Sequence, residues 1–210
     1  MKSALSVIFS PINDYLKGVK LLSSEQRFAS EVQSQRLNTS QLTKIALGSL
    51  LLTILIEEFA KYFIIGYEGV ISEVQIPIIG ELIYVFFFFV AGWLNAVIVL
   101  ICIRSIIPES SDRFRKILFT NFVVIVLFFP ITSLLEAVLM LIVGIEYYYK
   151  SLERPVTQGV NMGITFLIAY LLGSVFKLSH KKIINRLLIG YLVFVVVVFI
   201  VVILFLALIE

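Results

Sequence analysis

Five long apolar runs, at residues 45–66, 79–103, 117–145, 156–176 and 187–209, fill most of the chain after residue 44. A helix rises about 1.5 Å per residue, so roughly 20 apolar residues cross a hydrocarbon core of about 30 Å. None of the runs alternates with period two, and all outrun the strands of a membrane barrel, so the pattern predicts helices. The expected fold is all-α: a polytopic transmembrane helical bundle of five spans over residues 45–210. A cytoplasmic amphipathic helical arm over residues 1–44 precedes it.

Within the arm, Ile12, Tyr15, Leu16, Val19 and Leu22 recur at helical spacing with Asp14, Lys17 and Lys20 between them. Ser10 followed by Pro11 reads as an N-cap and first helical position. Two placements stay open for this helix. It lies on the membrane face with Lys17 and Lys20 toward anionic headgroups, or it packs on the basic loops. Ser23 and Gln26 resemble a capping box that opens a second, more polar helix through about Arg36.

Composition sharpens the picture. The 210 residues are 60% hydrophobic and 15% charged, with a mean hydropathy of +1.05, which excludes a soluble domain of this size. Lys and Arg are unevenly placed. Six precede the first run, four (Arg104, Arg113, Arg115, Lys116) follow the second, and four (Lys177, Lys181, Lys182, Arg186) follow the fourth. Against these fourteen stand only Lys61, Lys150 and Arg154, which orients the N-terminus to the cytoplasm and the C-terminus outside. The expected location is the bacterial inner membrane. Met1–Phe9 makes a poor signal peptide, because Pro11, Asn13, Asp14 and Lys17 interrupt any apolar core, so the first span is expected to direct insertion. The basic excess follows from topology and gives no reason to expect a nucleic-acid partner. On the opposite side, Tyr147–Tyr149 suit an interfacial belt.

Charge inside the runs is the first sign of chemistry. Glu57, Glu58 and Lys61 fall in the first span at spacings of three and four, so one ammonium reaches both carboxylates. Glu136 lies in the third span, after Pro130, Thr132 and Ser133. Spans one and three run the same way and carry their acids past mid-membrane. Geometry therefore allows a shared polar site in the outer half: a proton or cation relay, a polar ligand pocket, a buried pair that fixes helix register, or an outer-interface cluster with Lys61 snorkelling to water. Pro130 has no N–H for the carbonyl of Val126, which predicts a loosened helix there.

Catalytic chemistry finds little support. The Glu57-Glu58 pair is similar to that of intramembrane CAAX-type proteases, but those enzymes also need histidines within the membrane. The lone His180 falls in a basic loop with no obvious partner, and the lone Cys102 has no base nearby. Zinc sites and serine or cysteine hydrolases are thereby excluded, and neither an enzyme nor a cofactor is expected. Gly159, Gly163, Ala169 and Gly173 form a small-residue stripe suited to close helix packing or to a homo-oligomer contact. Asn95 and Asn161 suit interhelical hydrogen bonds. Lys177, Lys181, Lys182 and Arg186, with Lys17 and Lys20, are candidate contacts to anionic lipid or a cytoplasmic protein partner.

Three local features carry a family resemblance. They are Ile8-Phe9-Ser10-Pro11 before an amphipathic helix, the Arg113-Phe114-Arg115-Lys116 entry to a span with Phe129-Pro130 inside it, and Lys177-Leu178-Ser179-His180-Lys181-Lys182 before an apolar last helix. With five spans, the chain resembles the bacterial branch of the Yip1 family of membrane proteins. The resemblance implies a non-enzymatic membrane adaptor or organiser, since eukaryotic members are linked to vesicle traffic and small GTPases. The Glu57/Glu58/Lys61 group departs from the family pattern, and no functional residue carries over. Two alternatives stand beside the adaptor reading. One is a small oligomeric channel or proton-coupled carrier using Glu57, Glu58, Lys61 and Glu136. The other is a bacterial immunity or defence membrane protein.

Overall fold

The computed structural model describes residues 4–34, 38–64, 90 and 92–209, with side chains except at residues 4–9, 61, 64 and 204–209. The described residues form helices joined by turns, with no strand among them. In chain order the helices are α1 (Ala4–Leu22), α2 (Glu25–Gln33), α3 (Thr39–Ile64), α4 (Gly92–Ile103), α5 (Arg113–Val143), α6 (Ile145–Phe176) and α7 (His180–Ile209). Among these, α5, α6 and α7 are long and apolar enough to cross a membrane. The first part of the run at residues 79–103 lies outside the described residues. In α3 the uncharged stretch from residue 45 to residue 56 would measure only about 18 Å, short of a core of about 30 Å.

The N-terminal helix differs from expectation at its start. It begins at Ala4 and continues through Pro11, so Ser10 and Pro11 are interior rather than cap and first turn. A proline there withholds a donor only from the carbonyl of Val7, and the apolar residues before it prolong the helix. The cap of α2 is Ser24 rather than Ser23. Ser24 has extended dihedrals and accepts from the Arg27 N–H at 3.4 Å, while the Ser23 hydroxyl donates to the Lys20 carbonyl at the end of α1. Arg36 lies outside the described residues.

Close approaches fix how the helices pair. An added Cβ at Gly48 would run into the Pro11 carbonyl oxygen, and one at Gly18 would meet Ile45 at 3.2 Å, so α1 runs antiparallel along α3. Gly18 also abuts Leu127 of α5, so α1 packs in the groove between α3 and α5. Phe28, Ala29 and Val32 of α2 are buried, and α2 packs on the last turns of α6, where Gln33 Nε2 donates to the Val175 carbonyl at 2.7 Å. Asn95 binds α4 to two neighbours: its Nδ2 donates to Asn121 Oδ1 of α5 at 3.0 Å, and its Oδ1 accepts from Tyr191 of α7. Asn161 is exposed.

Burial is concentrated at the end where α1 leads into α2 and α6 turns into α7. Ile103, Ile117, Val123, Leu171, Leu172, Ile183 and Leu187 form its core. That turn is a Schellman motif, with Lys177 left-handed at φ 55° and the Leu178 N–H bonded to the Gly173 carbonyl at 2.8 Å. Farther along, every side chain from residue 192 to residue 203 of α7 is exposed.

Candidate functional site

Proline chemistry in α5 generates the first polar contacts. Because Pro130 has no N–H, the Val126 carbonyl lacks its helical donor. Ser49 of α3 supplies one from its hydroxyl at 2.5 Å. The Tyr15 hydroxyl of α1 donates to the next carbonyl, that of Leu127, at 3.0 Å. Three helices therefore meet where α5 is weakest.

The same face of α3 carries the acid. Ser49, Thr53 and Glu57 follow at four-residue spacing, one above the other toward α5. Glu57 Oε1 accepts from the Ser133 hydroxyl of α5 at 3.1 Å. The pairs 49–126 and 57–133 advance together, so α3 and α5 run parallel and level. Thr53, only 6% exposed, lies between them with its hydroxyl unpartnered.

Glu136 follows Ser133 by three residues on α5 and is half-buried, within electrostatic reach of Glu57, Glu153 and the Tyr148 hydroxyl. Tyr148 belongs to a π-helical segment, Tyr148–Leu152, near the start of α6. It is 1% exposed, whereas Tyr147 and Tyr149 are each 57% exposed. The expected belt of three tyrosines is thus two outward rings and one turned inward. The Tyr148 hydroxyl is buried beside Glu136. Of the acids singled out in the sequence, Glu57 and Glu136 come together. Glu58 sits on an exposed position, and the Lys61 side chain lies outside the described atoms. Carboxyls and hydroxyls of this kind hold a proton or a small cation.

A second polar cluster joins distant parts of the chain at the other end of the packing. Glu25 Oε2 of α2 accepts from the Ser174 hydroxyl at 3.1 Å and lies 3.8 Å from His180 Nε2. His180 Nδ1 is 2.9 Å from the Tyr170 carbonyl oxygen, and its ring stacks on Tyr170 at 4.2 Å. His180 therefore has partners, contrary to the reading of its local sequence, because they come from α2 and from ten residues back on α6. The Tyr170 hydroxyl, then Ser174 and the nearby His180, hold the Glu25 carboxyl below the usual carboxylate range. Serine here donates to the carboxylate rather than to the imidazole, so this is no nucleophile-and-base pair. Sequence inspection missed the roles of Glu25, Ser174 and Ser49 and saw in Tyr15 only an apolar helix position, because their partners are remote in the chain.

Around this cluster, Lys20, Lys177, Lys181, Lys182 and Arg186 are exposed, while Lys17 pairs with Asp14 at 2.8 Å. The small-residue stripe divides. Ala169 and Gly173 are buried, with Gly173 against the His180 ring, whereas Gly159 and Gly163 have nothing within 4 Å. Between α6 and α7 lies a groove of about 250 Å³, bordered by Asn161, Thr165, Ala169, Leu187 and Tyr191. No family model, curated protein or solved structure matches the chain.

Proposed function

We propose that the chain is a five-span membrane adaptor or organiser of the Yip1 type. In this reading its N-terminus faces the cytoplasm, its C-terminus the outside of a bacterial inner membrane, and its basic end meets anionic lipid headgroups or a cytoplasmic partner. The observation that carries this reading is the exposed group Lys177, Lys181, Lys182 and Arg186 beside the docked helix α2. A parallel, level course of α3 beside α5 supports a crossing by α3 as well. Basic residues near an anionic membrane contribute about 1 kcal/mol each, so three act together as about 3 kcal/mol. That is roughly a hundredfold in affinity. Lys181→Gln, Lys182→Gln and Arg186→Gln combined are expected to strip retained phosphatidylglycerol from the purified protein, as counted by native mass spectrometry. Undiminished retention would refute the lipid contact, and reporters on the two termini giving the same sidedness would refute the topology.

A second reading, a channel or proton-coupled carrier, is favoured by one contact, the Glu57–Ser133 hydrogen bond with Glu136 beside it. Proton flux into vesicles holding the protein tests it.

A further inference from the structure

We infer that the groove between α6 and α7 holds one acyl chain of an anionic phospholipid whose phosphate rests on Lys177 and Lys181; the inference deepens the lipid contact proposed above and rests on it. The groove, about 250 Å³, is walled by Phe166 and Ala169 of α6 and by Ile184, Leu187 and Leu188 of α7. Its hydroxyls are engaged within the chain: Thr165 donates to the Asn161 carbonyl at 2.8 Å, and Tyr191 donates to Asn95. What the groove offers an occupant is therefore hydrocarbon surface. From Ile184 to Tyr191 it runs about 10 Å along α7. One leaflet is half of a hydrocarbon core of about 30 Å, so the groove fits within the depth of a single lipid tail.

Charge selects the occupant. Lys181, Ile184 and Leu188 fall at spacings of three and four on one face of α7, so Lys181 stands one turn from the groove wall at the basic end. Lys177, exposed at the left-handed turn between the two helices, stands at the same end. Among the described residues, Lys17 and Lys116 pair with carboxylates, whereas no ion pair engages Lys177 or Lys181. Glu25, the acid packed at this turn, is already taken up by Ser174, Tyr170 and the nearby His180. A second copy of the chain laid here in the same orientation would set its own Lys177 and Lys181 against these, like charge on like, whereas a phosphate complements them. Lys182 and Arg186, two residues to either side of Ile184, fall on the opposite face of α7.

The full-length protein is purified in detergent, supplied with phosphatidylglycerol, washed, and read by native mass spectrometry. Wild type is expected to keep one lipid per chain, and phosphatidylcholine, which carries no net charge, to wash off. Lys177→Gln with Lys181→Gln is expected to weaken retention about thirtyfold. Lys182→Gln with Arg186→Gln, an equal loss of charge from the far face, is expected to weaken it less. Leu188→Trp fills the groove without touching a charge and is expected to abolish retention, while Ile142→Trp, at an exposed position on α5, is expected to keep it. No retained lipid on folded wild type removes the lipid contact itself. Retention that survives Leu188→Trp, or equal losses from the two charge pairs, overturns the groove site and leaves the lipid contact standing. Equal retention of phosphatidylcholine overturns the choice of an anionic lipid. A dimer that Leu188→Trp dissolves gives the groove to a second copy and overturns the proposal. Should Leu188→Trp fail to fold, wild type decides: glycerol phosphate, the charged group without a chain, displacing the lipid as well as lysophosphatidylglycerol does overturns the groove site.

Discussion

Substituting Ser49 with alanine isolates the repair of the proline break in α5. The Ser49 hydroxyl is buried and its 2.5 Å bond goes to the one carbonyl that Pro130 deprives of a helical donor. Leaving a buried acceptor unmade costs about 1–3 kcal/mol in soluble proteins. Interhelical hydrogen bonds within membranes average about 0.6 kcal/mol and reach about 1.7. Thr53 and Tyr15 lie nearby but neither reaches the Val126 oxygen, so a value near the upper membrane figure is expected, about 1.5 kcal/mol. Pro130→Ala restores an N–H at position 130, which then bonds to Val126 along the helix. In that background the Ser49 hydroxyl is redundant, and Ser49→Ala is expected to cost less than about 0.5 kcal/mol, the usual limit of additivity. The coupling therefore amounts to about 1 kcal/mol. Equilibrium unfolding in mixed detergent micelles, followed by circular dichroism, measures all four corners of the cycle. Equal costs of Ser49→Ala with and without Pro130 would refute the reasoning, because the serine would then act by packing alone.

Two further outcomes follow from other contacts. Gly48→Ala drives a Cβ into the Pro11 carbonyl oxygen, a backbone atom that no side-chain rotation relieves. Overpacking of this kind costs about 1–3 kcal/mol, and hydrogen exchange is expected to show α1 losing protection before α5; unchanged protection would disprove the contact. Glu25 is held below the usual carboxylate range, chiefly by the Tyr170 hydroxyl. Its hold on α2 is therefore complete above the ordinary glutamate pKa of about 4.3 and fades as pH falls through the lowered folded value. Exchange of the α2 amides is expected to quicken over that acid range in wild type, and Glu25→Gln to flatten the response; an equally steep response in the variant would exclude Glu25 as the source.

Much of this protein was legible along the chain. Apolar runs too long for strands fix helices at α3, α5, α6 and α7 because the backbone must satisfy its own hydrogen bonds wherever water is absent. The missing donor at Pro130 marks the Val126 carbonyl, and the apolar spacing marks α1 as a helix, with Tyr15 buried while Leu16 and Val19 of the same pattern are exposed. Sequence also placed Glu57 and Glu136 in the later parts of two apolar runs, since helical rise is uniform.

Other features arise only when separate helices come together. That Ser49 and Tyr15 cap the proline break, that α1 lies between α3 and α5, and that Glu25 meets His180 depend on which faces pack. Local sequence carries no signal for partners 77, 112 or more positions away. The inward turn of Tyr148 needs a π-helical segment that shifts the register of α6, and hydrophobic periodicity does not encode it. Chain pattern determined which segments become helices and where their charges fall. Tertiary contact alone decided which polar groups share a site, because hydrogen-bond partners are chosen by the short-range fit of faces that the chain keeps far apart.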